Sequence, residues 1–72
     1  MADLSTTIPA NIRKAREAKG WSKSELGRQI GSGYLLVHLV ETGKQMPTLP
    51  TLERFAAALG LPVSDLIGRT QT

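Results

Sequence analysis

The sequence predicts an all-α fold, a compact five-helix bundle in one domain. Three observations carry this. Glycines and prolines cut the 72 residues into short segments. Within those segments apolar residues recur at helical spacing, and nothing alternates with period two for long enough to form a strand. Two segments open on residues that cap helices, Ser22 and Thr48. A chain of this length suits one domain. The expected boundaries are a polar, flexible arm over 1–7, the helical domain over 8–68 and a tail over 69–72.

Thr7, Ile8 and Pro9 read as the start of the first helix, because a first-turn proline gives up an N–H that has no partner there. Ile12, Ala15 and Lys19 then recur at helical spacing, and Gly20 stops the helix. Ser22 and Glu25 stand as a capping box, the hydroxyl accepting from the N–H of residue 25 and the carboxylate from the N–H of residue 22. The second helix runs to Ile30, with Leu26 and Ile30 on one face. Gly31, Ser32 and Gly33 make a turn. Residues 34–42 form the third helix, ended by Gly43, and 44–47 a loop. Thr48 caps a fourth helix whose Leu49, Leu52, Phe55, Ala56 and Leu59 share a face, and Gly60 ends it. Residues 62–67 form a last short helix before Gly68.

The composition excludes several classes. There is no cysteine, so disulfides and thiolate metal sites are ruled out. The start of the chain has neither a basic opening nor an apolar run, so it does not read as a signal peptide. The longest nearly apolar run, 34–40, is about a third of the ~20 residues a membrane span needs. These features predict a soluble, cytoplasmic protein with no membrane contact, if the chain is natural. The net charge of +3, nine Lys/Arg against six Asp/Glu, permits nucleic-acid binding without requiring it.

The second and third helices, joined by a short glycine-containing turn, have helix-turn-helix spacing over 22–42. The stretch IRKAREAKGWSKSEL at 12–26 resembles the opening of the lambda-repressor and Cro-type (XRE-like) helix-turn-helix family. So do Ile30-Gly31, then Val40-Glu41-Thr42-Gly43-Lys44, Pro47-Thr48-Leu49, the segment 52–60, and Asp65-Leu66. The resemblance spans roughly 8–67, and its most specific part is Glu41-x-Gly43-Lys44-x-x-Pro47. It implies a five-helix bundle with the third helix as the recognition helix. It implies an ion pair between Arg16 and Glu41, for which a planar guanidinium and a carboxylate are well matched. It also implies DNA contacts at position 23 and along the outward face of the third helix, with backbone N–H groups at helix starts on phosphates.

The third helix departs from that family. On a 100° wheel Val37 and Val40 face inward beside Glu41, and Leu35, His38, Leu39 and Thr42 face out. Tyr34 and Leu36 lie on the flanks. Family members carry polar residues there, because reading base edges needs donors and acceptors. A leucine offers only contact with a thymine methyl, and each exposed leucine forgoes ~1.5–3 kcal/mol of burial. Contiguous apolar patches on small soluble proteins mark partner surfaces. Ser32 and Gly33 also replace the family's apolar turn residue and its capping Ser or Thr. A kept scaffold with one rewritten face suggests a repurposed or engineered surface.

The remaining constellations are weak. His38 is the lone histidine, with no metal-ligand set and no nucleophile beside it. It is either a bystander or a group that makes binding vary with pH near about 6–7. Ser22, Ser24, Ser32 and Ser64 have no base at useful spacing, and Gly31-x-Gly33 is not a phosphate loop. Arg13, Lys14, Lys19, Lys23, Arg28 and Lys44 are candidate phosphate contacts, or else an ordinary solvated face. The expectation is a non-catalytic binding module with no cofactor, metal or small-molecule substrate. Its first form is a protein binder, possibly an engineered one, that uses Tyr34, Leu35, Leu36, His38, Leu39 and Met46. The alternative is a sequence-specific regulator of transcription that binds duplex DNA through Lys23, Ser24, Tyr34, Leu35, His38, Leu39 and Lys44. A homodimer is compatible with either.

Overall fold

The structure, a computed structural model, describes residues 4–68. Five helices follow in order: α1 Leu4–Ala18, α2 Lys23–Gln29, α3 Tyr34–Glu41, α4 Leu49–Leu59 and α5 Val63–Leu66. Among the described residues there is no strand, and no helix is long and apolar enough to cross a membrane.

Local chemistry accounts for most of the boundaries. Ser22 Oγ accepts from the Glu25 N–H at 3.0 Å and Thr48 Oγ1 from the Thr51 N–H at 3.4 Å, satisfying donors that the first turns of α2 and α4 leave open. The Glu25 carboxylate accepts from Arg28 and Gln29 on its own helix instead of closing the expected box on Ser22. A side-chain partner one turn along the helix competes for the same oxygens. At the other end of α4, Gly60 takes φ 72°, a left-handed cap that suits a residue without Cβ.

The start of α1 differs from the sequence expectation. The helix begins at Leu4, inside the segment expected to be an arm, and Pro9 sits in its second turn. Proline removes one helical hydrogen bond there. Tertiary contacts offset the loss. Ile8 and Pro9 are buried, Thr7 lies against Gly68 just past α5, and the Asn11 amide donates to the Leu66 carbonyl at 3.0 Å. Propensity alone does not see such docking. The first three residues of the expected arm and the expected tail over 69–72 lie outside the described residues.

The core draws on every helix. Ile8 and Ile12 of α1 meet Leu26 and Ile30, Val37 and Val40 of α3, Leu66 of α5, and the Leu52, Phe55, Ala56 and Leu59 face of α4. Leu49 was expected on that face but is 61% exposed, because the first turn of α4 runs past the edge of the core. The α2–α3 crossing is close enough to need a glycine. A Cβ on Gly27 would lie 2.5 Å from the Gly33 carbonyl carbon.

A buried ion pair ties α1 to the end of α3. Arg16 Nε donates to Glu41 Oε2 at 2.7 Å and Nη2 to Oε1 at 3.0 Å, while Nη1 donates to the Trp21 carbonyl at 2.8 Å. Hydrogen bonding to Glu41 raises the Arg16 pKa further, against the opposing effect of burial. The Glu41 side chain is 1% exposed. No buried side-chain N or O among the described residues lacks a partner, so the pair sits in a fully satisfied setting.

Candidate functional site

The site is the outer face of α3 together with what flanks it. Burial of Val37 and Val40 fixes the rotation of the helix about its axis. Leu35 is consequently 63% exposed and Tyr34 49% exposed, while His38 and Leu39 are half-buried. Leu36 was expected to surround the outer patch. It packs instead against the core, since its place on the wheel adjoins Val37 and Val40. Met46 is exposed in the loop after α3. That loop is held to the end of the helix, with the Lys44 and Gln45 N–H groups donating to the Leu39 carbonyl at 2.9 and 3.1 Å.

Two helices contribute polar groups to this face. Lys23, the first residue of α2, places Nζ 3.1 Å from His38 Nδ1. The Tyr34 hydroxyl lies 3.4 Å from the same nitrogen, and the Tyr34 and His38 rings stack with centroids 5.5 Å apart and planes 15° from parallel. The Thr42 hydroxyl donates to the His38 carbonyl of its own helix at 2.8 Å. Ser24 and Lys44 are exposed on either side.

The other candidate cations divide into groups. Arg28 pairs with Glu25, whose carboxyl is held below its usual range by hydrogen bonds from Arg28 and Gln29. Lys19 lies over the Trp21 ring, 5.1 Å from its centroid. Arg13 and Lys14 are exposed on α1. Among the described residues no group of His, Asp or Glu is arranged to hold a metal ion. An open groove between α1, α4 and α5, lined by Asn11, Lys14, Ala18, Leu59 and Leu61, shares no residue with the α3 surface.

Sequence reasoning placed Lys23 and His38 on the site but did not join them. They are 15 residues apart on different helices, so only the crossing of α2 and α3 brings them together. It also passed over Gly27, which permits that crossing. A glycine inside an otherwise helical segment was the available signal.

What such a surface can do follows from its shape. Tyr34 and Leu35 are the exposed residues of α3, with His38 and Leu39 half-buried beside them, so the helix offers one narrow face to a partner. Its outward side chains are mostly apolar, with cations nearby.

The HTH_3 helix-turn-helix family profile matches residues 12–66. The chain is 38% identical over 65 residues to a hypothetical transcription factor of Neisseria meningitidis, covering 90% of this chain and 61% of that protein. It is 28% identical to the HTH-type transcriptional regulator SutR of Escherichia coli, over all of this chain and 40% of SutR. The chain therefore spans about half the length of these curated relatives. The crystal structure of the Neisseria factor superposes with a TM-score of 0.87 over 90% of this chain and 75% of that one, at 38% identity. The restriction-modification controller protein C.AhdI from Aeromonas hydrophila gives 0.82 at 27% identity, over 86% of this chain and 94% of that one. These relatives are regulators, and they lend no support to the expectation of an engineered protein-binding module. The chain belongs to the HTH_3 helix-turn-helix family, in the lambda-repressor and Cro-like branch of all-α folds that its sequence resembles.

Proposed function

We propose that this chain is the duplex-DNA-binding domain of a transcriptional regulator, with α3 entering the major groove. The carrying observation is the match of nearly the whole domain to a helix-turn-helix family whose relatives here are named as transcription factors and regulators. The exposure of Leu35 and Tyr34 on α3, with Lys23 half-buried and Lys44 exposed nearby, supports the same reading. Lys23, Ser24, Tyr34, Leu35, His38, Leu39 and Lys44 form the proposed contact set. The relatives' greater length leaves room for an effector or assembly region outside this domain.

The apolar face fits this role in a specific way. Leucine cannot exchange hydrogen bonds with a base, but it packs well on thymine methyls, which project into the major groove. Affinity then comes mainly from phosphate contacts, and titration of a mixed-sequence duplex at low and moderate salt tests it. Binding that falls with a log–log slope of about −0.9 per phosphate contacted is the expected result. Salt-independent or undetectable association would defeat the reading. A protein partner is the second reading, favoured by the 63% exposure of Leu35. It predicts negligible duplex binding together with strong binding of an apolar dye.

A further inference from the structure

We propose that Lys23 and His38 form an acid-sensitive latch on this surface. A neutral imidazole holds Lys23 against α3, and a protonated one releases it toward phosphate. The inference rests on the DNA-binding reading above and assigns a regulation to that same face.

The observed geometry fits only the neutral ring. Lys23 Nζ lies 3.1 Å from His38 Nδ1. An ammonium has only protons to offer, so Nδ1 is the acceptor and carries none. Protonation of the ring fills that nitrogen and sets two positive charges where the hydrogen bond was. Histidine is the side chain suited to make that change between about pH 5 and 8.

A second partner is in place for the new proton. The Tyr34 hydroxyl lies 3.4 Å from the same Nδ1, and its oxygen can accept as well as its O–H donate. The Tyr34 ring stacks on the imidazole, and an aromatic face attracts a cation. The imidazolium is therefore accommodated on its own helix, where it exchanges Lys23 for Tyr34.

The surrounding charges do not hold the lysine once the ring is charged. On α2 the Glu25 carboxylate is taken by Arg28 and Gln29. On α3 the Glu41 carboxylate is bound by Arg16 of α1 and is 1% exposed. Lys44, in the loop after α3, adds another cation. Among the described residues neither Lys23 nor His38 is paired with a carboxylate. Lys23 is also the first residue of α2, where the positive end of the helix dipole disfavours a cation. With His38 protonated, the ammonium is better placed in solvent or on a DNA phosphate.

The chain has one histidine, which makes the device separable. The experiment is a salt titration of a mixed-sequence duplex with the full chain at about pH 8 and about pH 5.5, on either side of the histidine range. It is repeated with Lys23→Met and with His38→Gln. The glutamine keeps an amide acceptor for Lys23 and cannot titrate, so all changes are taken relative to it. On acidification the parent is expected to steepen its log–log slope by about 1.8, from one imidazolium and one released lysine at about 0.9 each. In ~0.1 M salt it should also bind at least about tenfold more tightly. Lys23→Met should steepen by only about 0.9, from the imidazolium alone. A readout on the unaltered free protein guards against a folding defect. Ring nitrogen chemical shifts at about pH 8 should show Nε2 protonated and Nδ1 bare. Equal steepening in the parent and Lys23→Met overturns the latch, as do parent slopes that match His38→Gln at both pH values. A proton on Nδ1 at the higher pH overturns it as well. Failure to bind duplex at low salt at either pH removes the DNA-binding reading itself, and the inference with it, and is distinct from the other failures.

Discussion

The two ends of α3 are built on different principles. At its C-terminal end Glu41 is 1% exposed and held bidentately by Arg16, with every buried side-chain polar atom among the described residues satisfied. Toward its N-terminal end Leu35 is 63% exposed and makes no contribution to the core. The first arrangement follows the family pattern and the second departs from it. Eight residues thus carry both a buried anchor and an outward face. Substitutions at the anchor should register in stability, and those at the face in recognition.

The anchor gives the largest expected effect. Glu41→Ala leaves the Arg16 guanidinium buried with the Trp21 carbonyl and a long 3.9 Å contact to the exposed Glu17 carboxylate to receive it. Removing one partner of a buried pair costs ~3–5 kcal/mol, a large part of the total for a domain of this size. Thermal or denaturant unfolding should show it. Replacing both residues by apolar ones of similar volume should recover much of the loss. A Glu41→Ala protein as stable as the parent would show that the pair does not anchor α3.

Gly27→Ala should come next. Alanine gains ~1 kcal/mol over glycine inside a helix. Against that, its Cβ would meet the Gly33 carbonyl carbon at 2.5 Å and oxygen at 2.6 Å, both backbone atoms that cannot rotate away. Overpacking of this kind costs ~1–3 kcal/mol, so a net loss of up to about 2 kcal/mol is expected. The same shift would part α2 from α3 and lengthen the 3.1 Å Lys23–His38 contact. Chemical-shift changes at His38 in this variant, alongside a lowered unfolding midpoint, would tie the scaffold to the face. A stabilised variant would mean that the two helices separate at little cost.

The comparison also explains what could be read from the chain alone. The helices were legible because their punctuation is local: Ser22 and Thr48 cap, Gly20 and Gly60 terminate, and apolar spacing marks the inner faces. Leu35 was legible as outward because Val37 and Val40 fix the wheel. Apart from the Glu25 carboxylate, which partners on its own helix take from the expected box, the misplaced features are tertiary. The first turns of α1 depend on packing against the end of α5, Leu49 loses its cover where the core ends, and Leu36 leans on neighbours that periodicity does not locate. The Lys23–His38 contact depends on a crossing between helices, which Gly27 permits. A face read well by spacing can therefore carry chemistry that spacing does not show.

Leu35→Ser isolates the face from the anchor and should have the smallest effect on folding. Leu35 is 63% exposed and lies outside the core cluster, so stability should stay within ~0.5 kcal/mol of the parent. Recognition should change in kind. If Leu35 packs on a thymine methyl, uracil in place of that thymine, which removes only the methyl, weakens the parent and leaves Leu35→Ser unaffected. Each effect is expected to be several-fold at most, since one methyl contact is worth ~1 kcal/mol. Parallel titrations of the two proteins on the two duplexes give the coupling directly. Equal losses in both proteins would place the methyl against another side chain. A stability loss above ~1 kcal/mol in Leu35→Ser would show that this leucine belongs to the scaffold after all, and the division of α3 into anchor and face would fail.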